Sequence, residues 1–104
     1  MNATVQPTAY MVSLLPVDDI NADLFAITVE WRGDNNWAVM RHRQCLNSEG
    51  EWDWEPNPSS RTDEFIATHR FDRDTAIEMA RKVAPTVMCN GITAAEAYAD
   101  RGAP

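Results

Sequence analysis

The sequence predicts a single α+β domain over residues 1–104: an antiparallel three- to four-stranded sheet, a meander, with one main helix packed on one face and a short C-terminal helix. Three observations carry that prediction. Residues 24–55 alternate apolar and polar side chains and are interrupted by two glycine-containing turn sequences, the mark of half-buried strands joined by hairpins. Residues 72–84 show helical spacing between a capping Asp72 and Pro85. Thr93-Ala94-Ala95-Glu96 is a capping box that opens a second helix.

Taken in order, residues 1–7 are expected to be a disordered flank, and residues 8–15 an edge strand halted by Pro16. Residues 17–23 read as a solvated connection or a single helical turn. Asp18, Asp19 and Asp23 lie close together there but lack the spacing and the glycine of a calcium loop. Residues 24–32 place Phe25, Ile27, Val29 and Trp31 on one strand face. A two-residue turn on Asp34-Asn35 would pair Arg32 with Trp37 and Trp31 with Ala38. Residues 37–47 then read as one strand, ending in an Asn47-Ser48-Glu49-Gly50 loop with Gly50 left-handed, which sets Leu46 opposite Trp52 and Arg43 opposite Glu55. On this reading Ala38, Met40, Leu46, Trp52 and Trp54 join the apolar face. Glu30, Arg32, Trp37, Val39, Arg41, Arg43, Cys45, Glu51, Asp53 and Glu55 share the other.

Pro56 and Pro58 lack amide donors, so residues 55–61 form a loop or crossover. Thr62 is a helix-cap type, whereas Phe65, Ala67, His69 and Phe71 follow strand spacing, which leaves residues 65–71 open between a strand and an irregular segment. In residues 72–84, Ala76, Ile77, Ala80, Val83 and Ala84 form an apolar stripe, with Asp74 in the first turn and Arg81 and Lys82 near the end. The helix is expected to pack on the tryptophan face. Residues 86–89 make a short apolar run closed by Asn90-Gly91, and residues 101–104 are expected to be a disordered tail.

Composition narrows the function. The formal charge of −7, from 16 acids against 9 bases, argues against a general binder of duplex nucleic acid or of anionic membranes, and no apolar run has spanning length. Cys45 and Cys89, without a secretory leader pattern, are expected to be free thiols in a reducing cytosol. There is no glycine-rich phosphate loop, no Gly-x-Ser-x-Gly elbow, no Cys-x-x-Cys and no His-Glu-x-x-His, and no cofactor is implied. A zinc set drawn from His42, Cys45, His69 and Cys89 is disfavoured because His42 and Cys45 point to opposite faces of a continuous strand. A cysteine–histidine nucleophile pair lacks any orienting third group.

Glu51, Asp53 and Glu55 alternate along one strand at about 7 Å spacing, which suits either cross-strand pairing with arginines or the carboxylate pair of a small glycosidase. No apolar pocket is evident to raise one carboxyl, so pairing is the plainer reading. The candidate binding face is therefore Trp37, Val39, Arg41, Arg43, Glu51, Asp53 and Glu55, with Arg61 beside it, since a tryptophan framed by arginines has the makeup of an interaction hot spot. Trp37 is either exposed there or covered by a neighbouring segment. Trp52 and Trp54 are expected in the core.

Trp37-Ala38-Val39, Gly50-Glu51-Trp52, the run from Glu55 to Arg61, His69-Arg70-Phe71, Ala84-Pro85 and Asn90-Gly91-Ile92-Thr93-Ala94 together resemble small uncharacterised proteins of tailed phages that infect actinobacteria. The resemblance spans about residues 37–97 and carries over no activity and no functional residue. It implies a bacterial host cytoplasm and a non-enzymatic accessory protein that binds and modulates a host protein. An acidic nucleic-acid mimic blocking a DNA-binding protein, a self-associating structural component and, less favoured, a small hydrolase are the alternatives.

Overall fold

Five antiparallel strands lie side by side in chain order: β1 (Ala9–Val12), β2 (Ile27–Trp31), β3 (Trp37–Arg41), β4 (Gln44–Leu46) and β5 (Trp52–Trp54). The structure, a computed structural model, describes residues 1–102. Two helices follow the sheet, α1 (Asp63–His69) and α2 (Arg73–Val83), then a hairpin of β6 (Met88–Cys89) and β7 (Ile92–Thr93), then α3 (Ala94–Gly102). The α+β class and the antiparallel sheet are as expected, but the strands are more numerous. Residues 103 and 104, part of the expected tail, lie outside the described residues.

The extra strand comes from the middle of the sheet. Residues 37–47 are not one strand, because the chain folds back at His42-Arg43 and pairs Met40 with Cys45 and Arg41 with Gln44. Arg41-His42-Arg43-Gln44 is a run of four polar residues that no central strand can bury, and His42 accepts the left-handed φ of 56° that the turn needs. The preceding hairpin also differs by one position. Gly33 takes a φ of 93°, Arg32 N–H donates to Asn36 O at 2.8 Å, and Trp31 rather than Arg32 stands opposite Trp37.

A one-residue slip exchanges every side chain of a strand between faces. Trp37 and Val39, expected on the charged surface, therefore sit in the main core with Ile27 and Val29, Trp37 at 5% exposure and Val39 fully buried. Ala38 and Met40, expected with the core, face the other way. The missed turn then shifts the count once more, so the two differences cancel in β4 and β5. Leu46 stands opposite Trp52 as expected, and both belong to the main core. Trp54 corrects the expectation in the opposite sense, because it lies beyond the helical cover and is 61% exposed.

Both faces of the sheet carry a helix. Asp72 Oδ1 accepts the Thr75 N–H at 2.8 Å to start α2, whose buried Ala76 and Ala80 let the helix approach β2 and β3 closely. Thr62 Oγ1 accepts the Phe65 N–H at 3.0 Å and starts α1, so residues 65–69 are helical despite their strand-like spacing. Phe65 then covers Ala38, Met40 and Cys45 on the face opposite α2. Between the helices the chain crosses from face to face at Arg70 and Phe71, where Trp37 and Phe71 exchange backbone hydrogen bonds of 2.7 and 3.0 Å. Cys45, without a disulfide, lies beneath this second layer. At the far end, Thr93 and Glu96 form the expected capping box, Glu96 N–H donating to Thr93 Oγ1 at 3.1 Å and Thr93 N–H to Glu96 Oε1 at 3.0 Å.

Candidate functional site

The residues nominated by sequence disperse into four environments. Trp37 and Val39 are core. Arg41 is a staple: its guanidinium donates to the carbonyls of Ala26 at 2.9 Å, Leu24 at 3.1 Å and Met88 at 3.0 Å, tying the β6–β7 hairpin to the loop before β2. Glu51 is exposed at the tip of the β4–β5 turn. Asp53, Arg43, Glu55 and Arg61 belong to the surface around β5 and the proline loop, and their roles differ.

Asp53 Oδ2 accepts from His69 Nε2 at 2.7 Å and from Asn47 Nδ2 at 2.9 Å. The His69 hydrogen bond, reinforced by Asn47, holds the Asp53 carboxyl below its usual range. His69 Nδ1 lies 2.8 Å from Thr68 Oγ1, so hydroxyl, imidazole and carboxylate stand in the order of a nucleophilic triad. Both the hydroxyl and the imidazole of this row are already engaged within α1, His69 Nδ1 also lying 2.8 Å from Phe65 O. The Thr68 hydroxyl donates back into its own helix, to Glu64 O at 3.1 Å or Phe65 O at 3.2 Å, and the Phe65 ring stacks on His69 at 3.9 Å. None of the principal cavities among the described residues is lined by Asp53, Thr68 or His69.

Glu55 is the hub of a second, nearly dry cluster. Arg70 Nη2 lies 2.9 and 3.0 Å from its two oxygens, Arg61 Nε approaches Oε2 at 3.2 Å, and the Glu55 and Arg70 side chains are only 8% and 3% exposed. Two guanidiniums thus compensate one buried carboxylate, the condition under which a buried charge is tolerated. Arg61 also donates to Pro56 O at 3.3 Å, which pins the proline loop against the sheet. Beside the cluster, burial and then the Glu55 charge push the Cys45 thiol up to about 11, so it is a poor nucleophile.

A cavity of about 250 Å³ opens next to Glu55, between the His42-Arg43 turn and the proline loop, with Trp54 and Arg61 in its walls. Arg43 lies over the exposed Trp54 ring at 5.9 Å and has no carboxylate partner among the described residues. A larger hollow of about 650 Å³ is bounded by Asp74, Thr75, Glu78, Met79, Arg81 and Lys82, all from α2, so no second element encloses it. The Trp54 cavity is instead built from three chain segments and combines an aromatic wall with Arg61, held by Glu55 and Pro56 O, and the exposed Arg43.

No family model, curated protein or solved structure matches the chain. The cavity therefore stands on its own geometry. Sequence pairing had already brought Arg43 and Glu55 together across β4 and β5, and Glu55 N–H does donate to Arg43 O at 2.9 Å. What sequence missed is Trp54, whose displacement from the core is signalled only by its position against polar Gln44 and before Pro56. His69 and Arg70 were missed because helix α1 delivers them from outside the hairpins. Among the described residues no group of three or more His, Cys, Asp or Glu side chains has the grouping to hold a metal ion, and no helix is long and apolar enough to cross a membrane.

Proposed function

We propose that this chain is a non-enzymatic phage accessory protein that binds and modulates a bacterial host protein, and that the contact is made by the surface around Trp54, Arg43 and Arg61. One observation carries the reading: a tryptophan 61% exposed in the wall of a cavity, with Arg43, which has no carboxylate partner among the described residues, 5.9 Å over its ring. An exposed tryptophan on a paired strand, with arginines from the adjoining turn and loop beside it, has the residue makeup that interface hot spots share. The phage context rests on the sequence resemblance described above. The acidic ladder favours this reading over a nucleic-acid mimic, since Asp53 and Glu55 are engaged internally and leave no continuous stripe of free carboxylates.

The test is affinity capture from actinobacterial lysate with wild type and Trp54→Ala, both checked by circular dichroism. A specific host protein retained by wild type and lost by the folded variant is the expected result. Equal capture by both would refute the surface, and no specific capture would refute the host-binding role.

A further inference from the structure

The Trp54 cavity has a charge unlike that of the molecule around it. The chain carries −7 overall, yet the cavity is lined by Arg43 and Arg61 with Glu55 as its single carboxylate, which Arg61 and the buried Arg70 already occupy. Arg43 is left over, 5.9 Å above an indole and exposed, with His42 next to it in the same wall. A guanidinium on a low-dielectric aromatic surface is a ready receptor for a carboxylate. The surrounding negative charge repels a polyanion, which favours an isolated acid over a nucleic-acid backbone.

The strand that delivers Trp54 is also the open edge of the sheet. Asn47 N–H donates to Glu51 O at 2.8 Å and Glu55 N–H to Arg43 O at 2.9 Å, so by the alternation of an antiparallel ladder the N–H and C=O groups of Trp52 and Trp54 point away from β4. These groups have no strand partner in the sheet, where β5 stands last. Pro56 ends the edge, so an added strand can pair only briefly before it reaches the cavity.

We propose that the occupant is an extended segment of a partner protein, laid along β5 as a sixth strand, with one Asp or Glu carboxylate held by Arg43 in the Trp54 cavity. This deepens the reading of the preceding subsection and rests on it. Main-chain pairing supplies affinity, and the carboxylate supplies selection, the division of labour of strand-addition recognition.

The experiment is a selection of random ten-residue peptides displayed on a carrier, panned against the full chain and then measured by fluorescence anisotropy as synthetic peptides. Binders are expected to carry one Asp or Glu within a run of β-branched or aromatic residues. Their Asp→Asn or Glu→Gln versions, and the Arg43→Gln and Arg43→Glu proteins, are each expected to weaken binding by about tenfold or more, as loss of a charge-assisted pair does. Amide shifts on binding are expected at Trp52 and Trp54. Enriched peptides without an acid, affinity unchanged in a folded Arg43→Glu protein, or no enrichment would each overturn the inference. If lysate capture still depends on Trp54 while acidic peptides fail, the host-binding surface survives and only its ligand chemistry falls.

Discussion

Replacing Trp37 by alanine removes the most deeply buried tryptophan of the core. The ring is 5% exposed, lies 5.6 Å from the Tyr10 ring and packs with Val29, Val39 and Ala76 in one cluster. Because β3 is paired on both sides at this point, to β2 through Trp31 and to the crossover through Phe71, the backbone cannot collapse into the vacated space. The expected cost is roughly 3–5 kcal/mol, the range for truncating a buried aromatic residue. A domain of this size holds about 5–15 kcal/mol in all, so the variant should lose roughly a fifth of its stability at the least and all of it at the most. Trp54→Ala, at an exposed site, should shift stability by about 0.5 kcal/mol or less. Urea denaturation followed by far-ultraviolet circular dichroism measures both, provided the slope m is unchanged. Equal losses, or a larger loss for Trp54→Ala, would refute the face assignment and with it the exposed cavity.

Three further outcomes follow from the second face. Cys45, buried and with its thiol pushed up to about 11, should react with an aromatic disulfide reagent at pH 8 only as fast as the protein unfolds, whereas half-buried Cys89 should react earlier; simultaneous reaction of both would contradict the packing beneath Phe65. The Asp53 carboxyl is depressed by His69 and Asn47, so the stability it adds is present above the unfolded value near 3.8 and is lost as pH falls through the lower folded value. The gap between wild type and Asp53→Asn in acid denaturation should therefore close below that pH, and a constant gap would refute it. Arg70→Leu leaves the buried Glu55 with Arg61 alone and should cost roughly 3–5 kcal/mol in the same urea assay, most of it recovered in Arg70→Leu/Glu55→Leu; a double variant no better than the single would show that packing rather than charge dominates.

What was legible in the sequence was local. Asp72, Thr62 and Thr93 each sit one turn before the amide they accept from, so their caps need no tertiary knowledge. The Asn47–Glu51 turn was likewise set by Gly50 and by Asn47, whose side chain accepts the Glu49 and Glu51 amides at 2.9 and 3.0 Å. The faces of β3 were not legible, because they depend on counting loop residues at both ends of a short strand. One position at Gly33 was enough to exchange Trp37 with Ala38, and the turn at His42 exchanged the faces back in β4 and β5. Arg43, Glu55 and Arg61 group together on sequence pairing alone, whereas the exposure of Trp54 depends on how far the helical cover extends over a face that is itself read correctly. Phe65 and His69 satisfy strand and helical spacing alike over so short a run, and the Thr62 cap decides between them.

The crossing at Arg70 and Phe71 also sets an order of assembly. The three hairpins from β2 to β5 close over a few residues each, whereas the Trp37–Phe71 pairing joins distant positions and bears a larger loop-closure entropy. The two helices, packed on opposite faces, are joined through that pairing. The two helical layers should thus lock together in one late, cooperative event, with the Trp37 and Phe71 amides exchanging their hydrogens only on global unfolding.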